Sequence, residues 1–374
     1  MGGLSFLRAE LEALEHGDLL RQRPKVGDAL VLCSNDYLGY AADPLDDPRA
    51  PTVVPPSGAG ASRLVSGEHP AHVELERSLA RWVGLEAALI FSSGYAANVG
   101  LLPALAGEAD VIVSDELNHA SIIDGCRLSR ARVVVTPHLD LAAVERALAA
   151  NATARRRFVV TESYFSMDGD APPLAELRSL CDAYGAALIV DEAHALGVFG
   201  AGGRGRCWLE GVVPDVLVGT LGKAIGLQGA FVAGSPDLEA WLWNRARSFV
   251  FSTGIGPALA AAAVLRVERV LADDLGRARL DELASRLRSE LRSMHAPLHG
   301  STGPIVPIVV GDARRAVELR ERLLAAGVYV QAIRPPTVPE GTSRLRVTLH
   351  ARLSDAELER ALGALRLVLA PRHR

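Results

Sequence analysis

The sequence predicts an α/β protein: a large domain with a mostly parallel seven-stranded sheet, then a smaller C-terminal α+β domain. Three observations carry this. Between residues 70 and 235, seven short apolar runs, most of them β-branched, are separated largely by stretches of helical period. Only residues 220–229 separate the last two runs, too few for a helical crossover, so one strand is expected to run antiparallel. Beyond Pro297 the order becomes strand, helix, strand, strand, helix, which reads as a small mixed domain.

The chain has 374 residues, 49% apolar and 22% charged, with a net charge of −4. That length supports a large core without covalent staples. The slight negative charge gives no support for nucleic-acid or anionic-membrane binding. Cys33, Cys126, Cys181 and Cys207 are far apart and form no CxxC pair, which reads as reduced, mostly buried thiols of a cytoplasmic protein. The N-terminal stretch is amphipathic rather than a signal peptide, and Phe6 stands where a myristoylation signal wants Ser or Thr. No apolar run approaches the length of a membrane span.

Taken in order, residues 4–23 read as a helix with Leu4, Leu7, Leu11 and Leu14 as its apolar stripe, ending near Arg21, Arg23 and Pro24. CSNDYLGY, 33–40, mixes turn formers with two tyrosines. The Pro-rich connection 43–56 marks the join to the large domain. The expected division is an N-terminal arm 1–42, a large domain 43–272 and a small domain 273–374. SGAGASRLVSG, 57–67, lacks the phosphate-loop pattern and by itself reads as a flexible stretch. Helices are expected at 72–83, 95–105, 139–150 and 173–184. Buried strands are expected at 88–91, 111–113, 133–135, 158–161, 187–190, 216–219 and 230–233. A helix with Trp241 and Trp243 follows, then FSTGIGPA at 251–258, an alanine-rich helix, and a helix striped by Leu280, Leu283, Leu287 and Leu291. In the last domain, strands 305–310, 328–333 and 344–349 and helices 313–326 and 354–369 complete the pattern.

Chemistry concentrates at strand ends. Only Lys25 and Lys223 are lysine; the other 38 of the 40 Lys and Arg residues are arginine. A lysine that survives such a bias can do what arginine cannot, namely form an imine. Lys223 follows the run VLVG and a tight turn, at the carboxyl end of a strand, where open sheets bind ligands. A Schiff-base lysine and a surface loop lysine both fit that stretch alone. ALIVDEAH, 187–194, looks like a helicase Walker-B box, but no GxxxxGK[ST] loop precedes it. What remains is Asp191 at the end of a buried strand and His194 three residues on. A carboxylate there can hold a proton on a pyridine nitrogen; an isolated DxxH more often caps a turn. Gly94 and Tyr95 open a helix after a strand, where backbone amides can bind phosphate, with Ser92 and Ser93 beside them. His119 follows another strand, on a loop, as a flat ring that can stack. His69 and His72 read as surface residues, with no third ligand to make a metal site.

SNDYLG, GAGASR, FSSGYAAN, LNHAS, TESYFSMDGD, DEAHALGVFG and TLGK occur in the order found in the α-oxoamine synthases, and over nearly its whole length the chain resembles that family. The resemblance implies the PLP-dependent transferase fold type I, with pyridoxal 5′-phosphate (PLP) as cofactor. AIRPPTVPEGTSRLRVTL, 332–349, is most similar to the biotin-pathway member. That likeness implies a decarboxylative condensation of L-alanine with pimeloyl-CoA or pimeloyl-acyl carrier protein, in a cytoplasmic homodimer. It further implies Lys223 as the imine-forming lysine, Asp191 on the pyridine nitrogen and His119 stacked on the ring. Ser166 and His194 would lie near the phenolic oxygen; Thr220, Gly94 and Tyr95 would hold the phosphate. Arg21, Asn35, His119, Thr337 and Arg346 would contact substrate, with Arg346 on the amino-acid carboxylate. Ser252 or Thr253 would reach the neighbouring subunit's phosphate. Tyr95 stands where the family often has phenylalanine, and TLGKAIG departs from the commoner TFGKGFG. A sister enzyme using glycine with acetyl-CoA, and a PLP-binding homologue without activity, stay open as alternatives.

Overall fold

The computed structural model describes residues 3–21, 23–44, 55–298 and 300–370. The chain forms two compact units. The larger comprises Asn35–Ser166 and Ala171–Ala278; the smaller comprises Met1–Ser34, Met167–Asp170 and Arg279–Arg374. Among the described residues the strands are, in chain order, β1 (Leu30–Val31), β2 (Ala87–Phe91), β3 (Val111–Asp115), β4 (Arg132–Thr136), β5 (Arg157–Glu162), β6 (Ala187–Asp191), β7 (Val216–Thr220), β8 (Ala230–Gly234), β9 (Ile305–Gly311), β10 (Val328–Tyr329), β11 (Gln331–Ile333) and β12 (Ser343–Thr348).

The larger unit is built on one seven-stranded sheet in the order β2-β8-β7-β6-β5-β3-β4. Strands β3 to β7 run parallel, and β8 lies antiparallel between β2 and β7, as the short connection requires. Successive residues of a strand face opposite sides of a sheet. Here both sides are covered, which explains the continuous apolar runs. Ile112, Val160, Ile189 and Val218 join a core with Leu101 and Phe249. Their neighbours Val113, Val159, Leu188 and Val190 join a second core with Leu148, Leu177 and Cys181. The run 133–135 departs from the buried reading: β4 is an edge strand, and Val135 is 62% exposed.

Local capping sets the helix starts that matter for the site. His69 accepts from the Ala71 amide at 3.1 Å and caps the helix Pro70–Val83, which ends on Gly84 in the left-handed region. Ser93 caps Gly94–Leu105 by accepting from Ala96. A short helix the sequence pattern does not announce, Ala120–Leu128, begins at His119, so His119 is a cap rather than a loop residue. His72 also departs from its surface reading. It is fully buried, with Nε2 bonded to the Ile255 carbonyl at 2.8 Å.

The glycine-rich stretch 57–67 is not loose either: residues Arg63–Gly67 form a π-helical turn around the buried Arg63, which pairs with Glu68 and Glu76. The first helix is confined to Leu7–His16, and Leu4, Leu7, Leu11 and Leu14 are all exposed, so their stripe faces no core of this chain. Asp18, at φ 55°, turns the chain away from helical geometry just beyond Gly17. Residues 45–54 of the proline-rich connection lie outside the described residues.

The smaller unit holds the antiparallel sheet β11-β12-β9 and the parallel pair β1-β10. The expected strand 328–333 is divided at Val330: β10 pairs with β1, and β11 pairs with β12. The helices Ala313–Ala325 and Asp355–Leu369 are each capped by a side chain, the second through a full capping box of Ser354 and Glu357. All six residues of β12 are buried, including Arg344 and Arg346.

Candidate functional site

The carboxyl ends of β3, β5, β6 and β7, neighbours in one sheet, bring the chemistry together. Strand β6 ends on Asp191, which is buried. Asn98 donates from Nδ2 to Asp191 Oδ2 at 2.9 Å, and the Ala193 amide donates to Oδ1 at 2.9 Å. Strand β5 ends on Glu162, the register partner of Asp191 on the adjacent strand. Adjacent strands lie about 4.8 Å apart, so two carboxyl side chains share one face of the sheet edge. Burial, and then the charge of Asp191, push the Glu162 carboxyl up to about 8, against the opposing pull of Lys223 and the His119 amide. At neutral pH Glu162 therefore keeps its proton. Glu162 Oε1 is buried without a hydrogen-bond partner among the described residues.

Strand β7 ends on Thr220, and the turn that follows carries Lys223. The Thr220 hydroxyl donates to the Gly229 carbonyl and accepts from the Gly222 amide, each at 3.1 Å, so it holds the turn itself. The Gly226 amide donates to the Lys223 carbonyl at 2.8 Å. Gly226 has φ +72°, and a Cβ there would lie 2.6 Å from the Ala41 amide nitrogen. Only glycine suits both demands. Lys223 lies near enough to act electrostatically on both His119 and Glu162.

His119 presents an exposed ring, yet its Nδ1 is tied down. Ser121 approaches that nitrogen with its hydroxyl at 2.7 Å and its amide at 3.2 Å. The surrounding protein, opposed by Asp191 and aided by Lys223, holds the imidazole below the ordinary histidine value. Gly94 and Tyr95 occupy the first turn of their helix, where amides have no intrahelical acceptor. The Tyr95 hydroxyl bonds Asp124 on the following helix, and that bond raises the phenol above its ordinary value. His194 Nδ1 meets the Tyr37 hydroxyl at 2.7 Å, and Tyr37 Oη lies 3.4 Å from Asn35 Oδ1, so Tyr37 links two residues singled out in the sequence. Ser166 is buried just beyond β5.

In the smaller unit, Arg21 Nη2 donates to Thr337 Oγ1 at 3.2 Å, joining two predicted substrate residues that are 316 positions apart. Arg346 lies buried on β12, and Arg344, two residues before it, pairs with Asp168. Burial pushes the Cys33 thiol up, with Arg346 pulling it back.

Sequence reasoning missed Asn98, Ser121, Glu162 and Tyr37. Each lies inside a quoted motif, but only the strand order and the helix starts reveal what each touches. Among the described residues no group of three or more His, Cys, Asp or Glu is placed to hold a metal ion.

The profile of the family described as aminotransferase class I and II matches residues 27–365. The chain belongs to that family. The "8-amino-7-oxononanoate synthase" of Geobacter metallireducens is 49% identical over 342 residues, covering 90% of this chain and 88% of that protein. The protein of the same name from Anaeromyxobacter dehalogenans is 48% identical over 384 residues, covering 98% and 96%. Among solved structures, Sphingomonas wittichii serine palmitoyltransferase superposes with a TM-score of 0.88 at 32% identity, covering 98% of both chains. The Francisella tularensis 8-amino-7-oxononanoate synthase gives 0.76 at 25% identity, covering 91% of this chain and 97% of that one. The mostly parallel sheet with a smaller sheet-containing unit is thus fold type I, as the sequence predicts.

Proposed function

We propose that this chain is a PLP-dependent acyltransferase that condenses L-alanine with a pimeloyl thioester to give 8-amino-7-oxononanoate, CO2 and free thiol. A carbon–carbon bond forms between the alanine α-carbon and the thioester carbonyl; the carbonyl–sulfur bond and the bond to the alanine carboxyl break. The observation that carries the reading is the convergence of Lys223, Asp191 and His119 beyond the carboxyl ends of β7, β6 and β3 of one sheet, in a chain about half identical to enzymes of that name. The residues fit the cofactor: an imidazole fixed through its Nδ1, a buried carboxylate, first-turn amides at Gly94 and Tyr95, and a lysine within electrostatic reach. PLP supplies an electron sink for charge developing at the substrate α-carbon.

The chain's own groups do the rest. The Lys223 amine would hold the cofactor through its aldehyde carbon and would take and return the α-proton. Asp191, fixed by Asn98 and Ala193, would hold a proton on the pyridine nitrogen, beside a Glu162 that burial keeps neutral. His119 would stack on the ring, and His194 and Ser166 would serve its phenolic oxygen. Gly94 and Tyr95 amides would hold the phosphate, with Thr220 beside them. Arg346 would receive the amino-acid carboxylate, Arg21 and Thr337 would contact substrate, and Asn35 would line the site. We place this activity in the cytoplasm, in line with four free cysteines, and in a homodimer to which Ser252 or Thr253 contributes. The arm 1–42, large domain 43–272 and small domain 273–374 remain our functional division of the chain.

The test is a competition assay of thiol release, with alanine or glycine against pimeloyl-CoA or acetyl-CoA. Alanine with pimeloyl-CoA should give the highest specificity constant. A missing methyl changes discrimination by only about 1–3 kcal/mol, so glycine should turn over poorly rather than not at all. A higher constant for glycine with acetyl-CoA would replace this reading with the sister activity.

A further inference from the structure

A hydrogen-bonded chain leads from Asp191 to His119, and its direction is fixed at both ends. Asn98 Nδ2 donates to Asp191 Oδ2 and to Ser121 Oγ, each at 2.9 Å. An amide NH2 only donates, and the opposite orientation of Asn98 would set its oxygen against a carboxylate. Ser121 Oγ therefore accepts from Asn98 and has its own proton left to give. That proton meets His119 Nδ1 at 2.7 Å. The Ser121 amide, which also only donates, points at the same nitrogen from 3.2 Å. Two donors facing Nδ1 require it to carry the lone pair, which places the ring proton on Nε2. Asn98 and Ser121 are 2% and 1% exposed, so water does not compete for the bonds from Asn98 to Ser121 and Asp191.

We infer that Asn98 and Ser121 are positioning residues that fix His119 as a neutral imidazole protonated on Nε2, with its ring plane set for the cofactor. The same Asn98 steadies the carboxylate that would serve the pyridine nitrogen, so one amide side chain supports both groups. The charged and titratable groups acting on His119 are Asp191, Glu162 through the His119 amide, and Lys223. Ser121 sits in the first turn of the helix Ala120–Leu128, so the sequence His-Ala-Ser builds the cap and the tautomer lock together.

The kinetic part of this inference rests on the proposed function, and the tautomer part does not. The experiment is nitrogen NMR of histidine-labelled protein, without and with PLP, the His119 signals being assigned by their loss in His119→Gln. The wild type should show a pyridine-type Nδ1 and a protonated Nε2 from neutral pH down to a midpoint below the ordinary histidine value. Ser121→Ala removes a donor to the neutral ring and should raise that midpoint by roughly 0.5–1 pH unit. It should also lower kcat by about five- to tenfold with KM for alanine little changed. Ser121→Thr, which keeps the hydroxyl, should restore the wild-type nitrogen spectrum, and this separates loss of the bond from loss of the fold. A protonated Nδ1 in the wild type, or an unchanged His119 midpoint in well-folded Ser121→Ala, would overturn the inference. Altered His119 signals in a protein that does not condense alanine would leave the tautomer lock standing and overturn only the assigned reaction.

Discussion

Two buried charge clusters in the larger unit are built on opposite plans. Around Arg63, opposite charges meet and are satisfied. Its guanidinium donates to Glu68 at 2.7 Å and to Glu76 at 3.0 Å, Glu76 also accepts from the Ile90 amide at 2.9 Å, and the Trp243 and Phe249 rings lie 5.3 and 5.5 Å away. At the carboxyl edge of the sheet, two carboxyl groups stand side by side, one is forced to stay neutral, and its Oε1 has no partner among the described residues. Burying charge is costly unless it is paired and fully hydrogen-bonded. The Arg63 cluster meets that condition and serves the fold. The edge does not meet it among the described residues, because Glu162 Oε1 is left unsatisfied.

The largest effect should come from breaking the satisfied cluster. Arg63→Ala leaves Glu76 buried without its counter-charge and should destabilise the protein by about 3–5 kcal/mol in urea unfolding. A variant as stable as wild type would show that the cluster is not a fold element. Asp191→Asn should instead keep stability and PLP binding while kcat/KM falls about 10²–10³-fold, since the amide cannot hold a protonated pyridine nitrogen as a carboxylate does. Equal losses of stability in both variants would erase the contrast between the two sites.

Glu162→Gln sharpens the comparison through pH. The folded value of Glu162, about 8, lies above its ordinary 4.5, so the folded state binds the proton more tightly than the unfolded chain. Its stabilising contribution is therefore complete below pH 4.5 and is lost as pH rises through about 8. Glutamine, neutral throughout, should flatten that part of the stability profile and make the variant more resistant than wild type above pH 8; a parallel profile would show that Glu162 is already ionised. The smallest effect belongs to the rim of the satisfied cluster. The Glu68 side chain is 36% exposed, and Glu68→Gln should cost about 1 kcal/mol or less in the same unfolding experiment.

How much of this was legible in the sequence follows the same division. Repeating apolar runs announced the sheet because both of its faces are buried, as Ile112 and Val113 show by entering different cores. Lys223 and Asp191 were legible because each follows a buried run that ends in turn residues. The pairing of Glu162 with Asp191 was not, because it depends on β5 lying beside β6, and strand order is a long-range property. Ser121 and Asn98 were hidden for a different reason. Their roles depend on two helix starts meeting, and the helix Ala120–Leu128 is too short to show a period. Arg63 and His72 read as loop and surface because polarity alone says nothing about a partner that buries it. The stripe Leu4 to Leu14 announced a helix, which forms over the shorter span Leu7–His16 with those leucines exposed.

The central claim is that the sheet edge carries a reactive lysine, and the chain's own composition makes that claim simple to test. Only Lys25 and Lys223 can form an imine through a side chain. Borohydride reduction of the PLP-loaded protein, followed by peptide mass mapping, should place the label on Lys223 and leave Lys25 unmodified. A label on Lys25, or no label on protein that has bound PLP, would contradict the account.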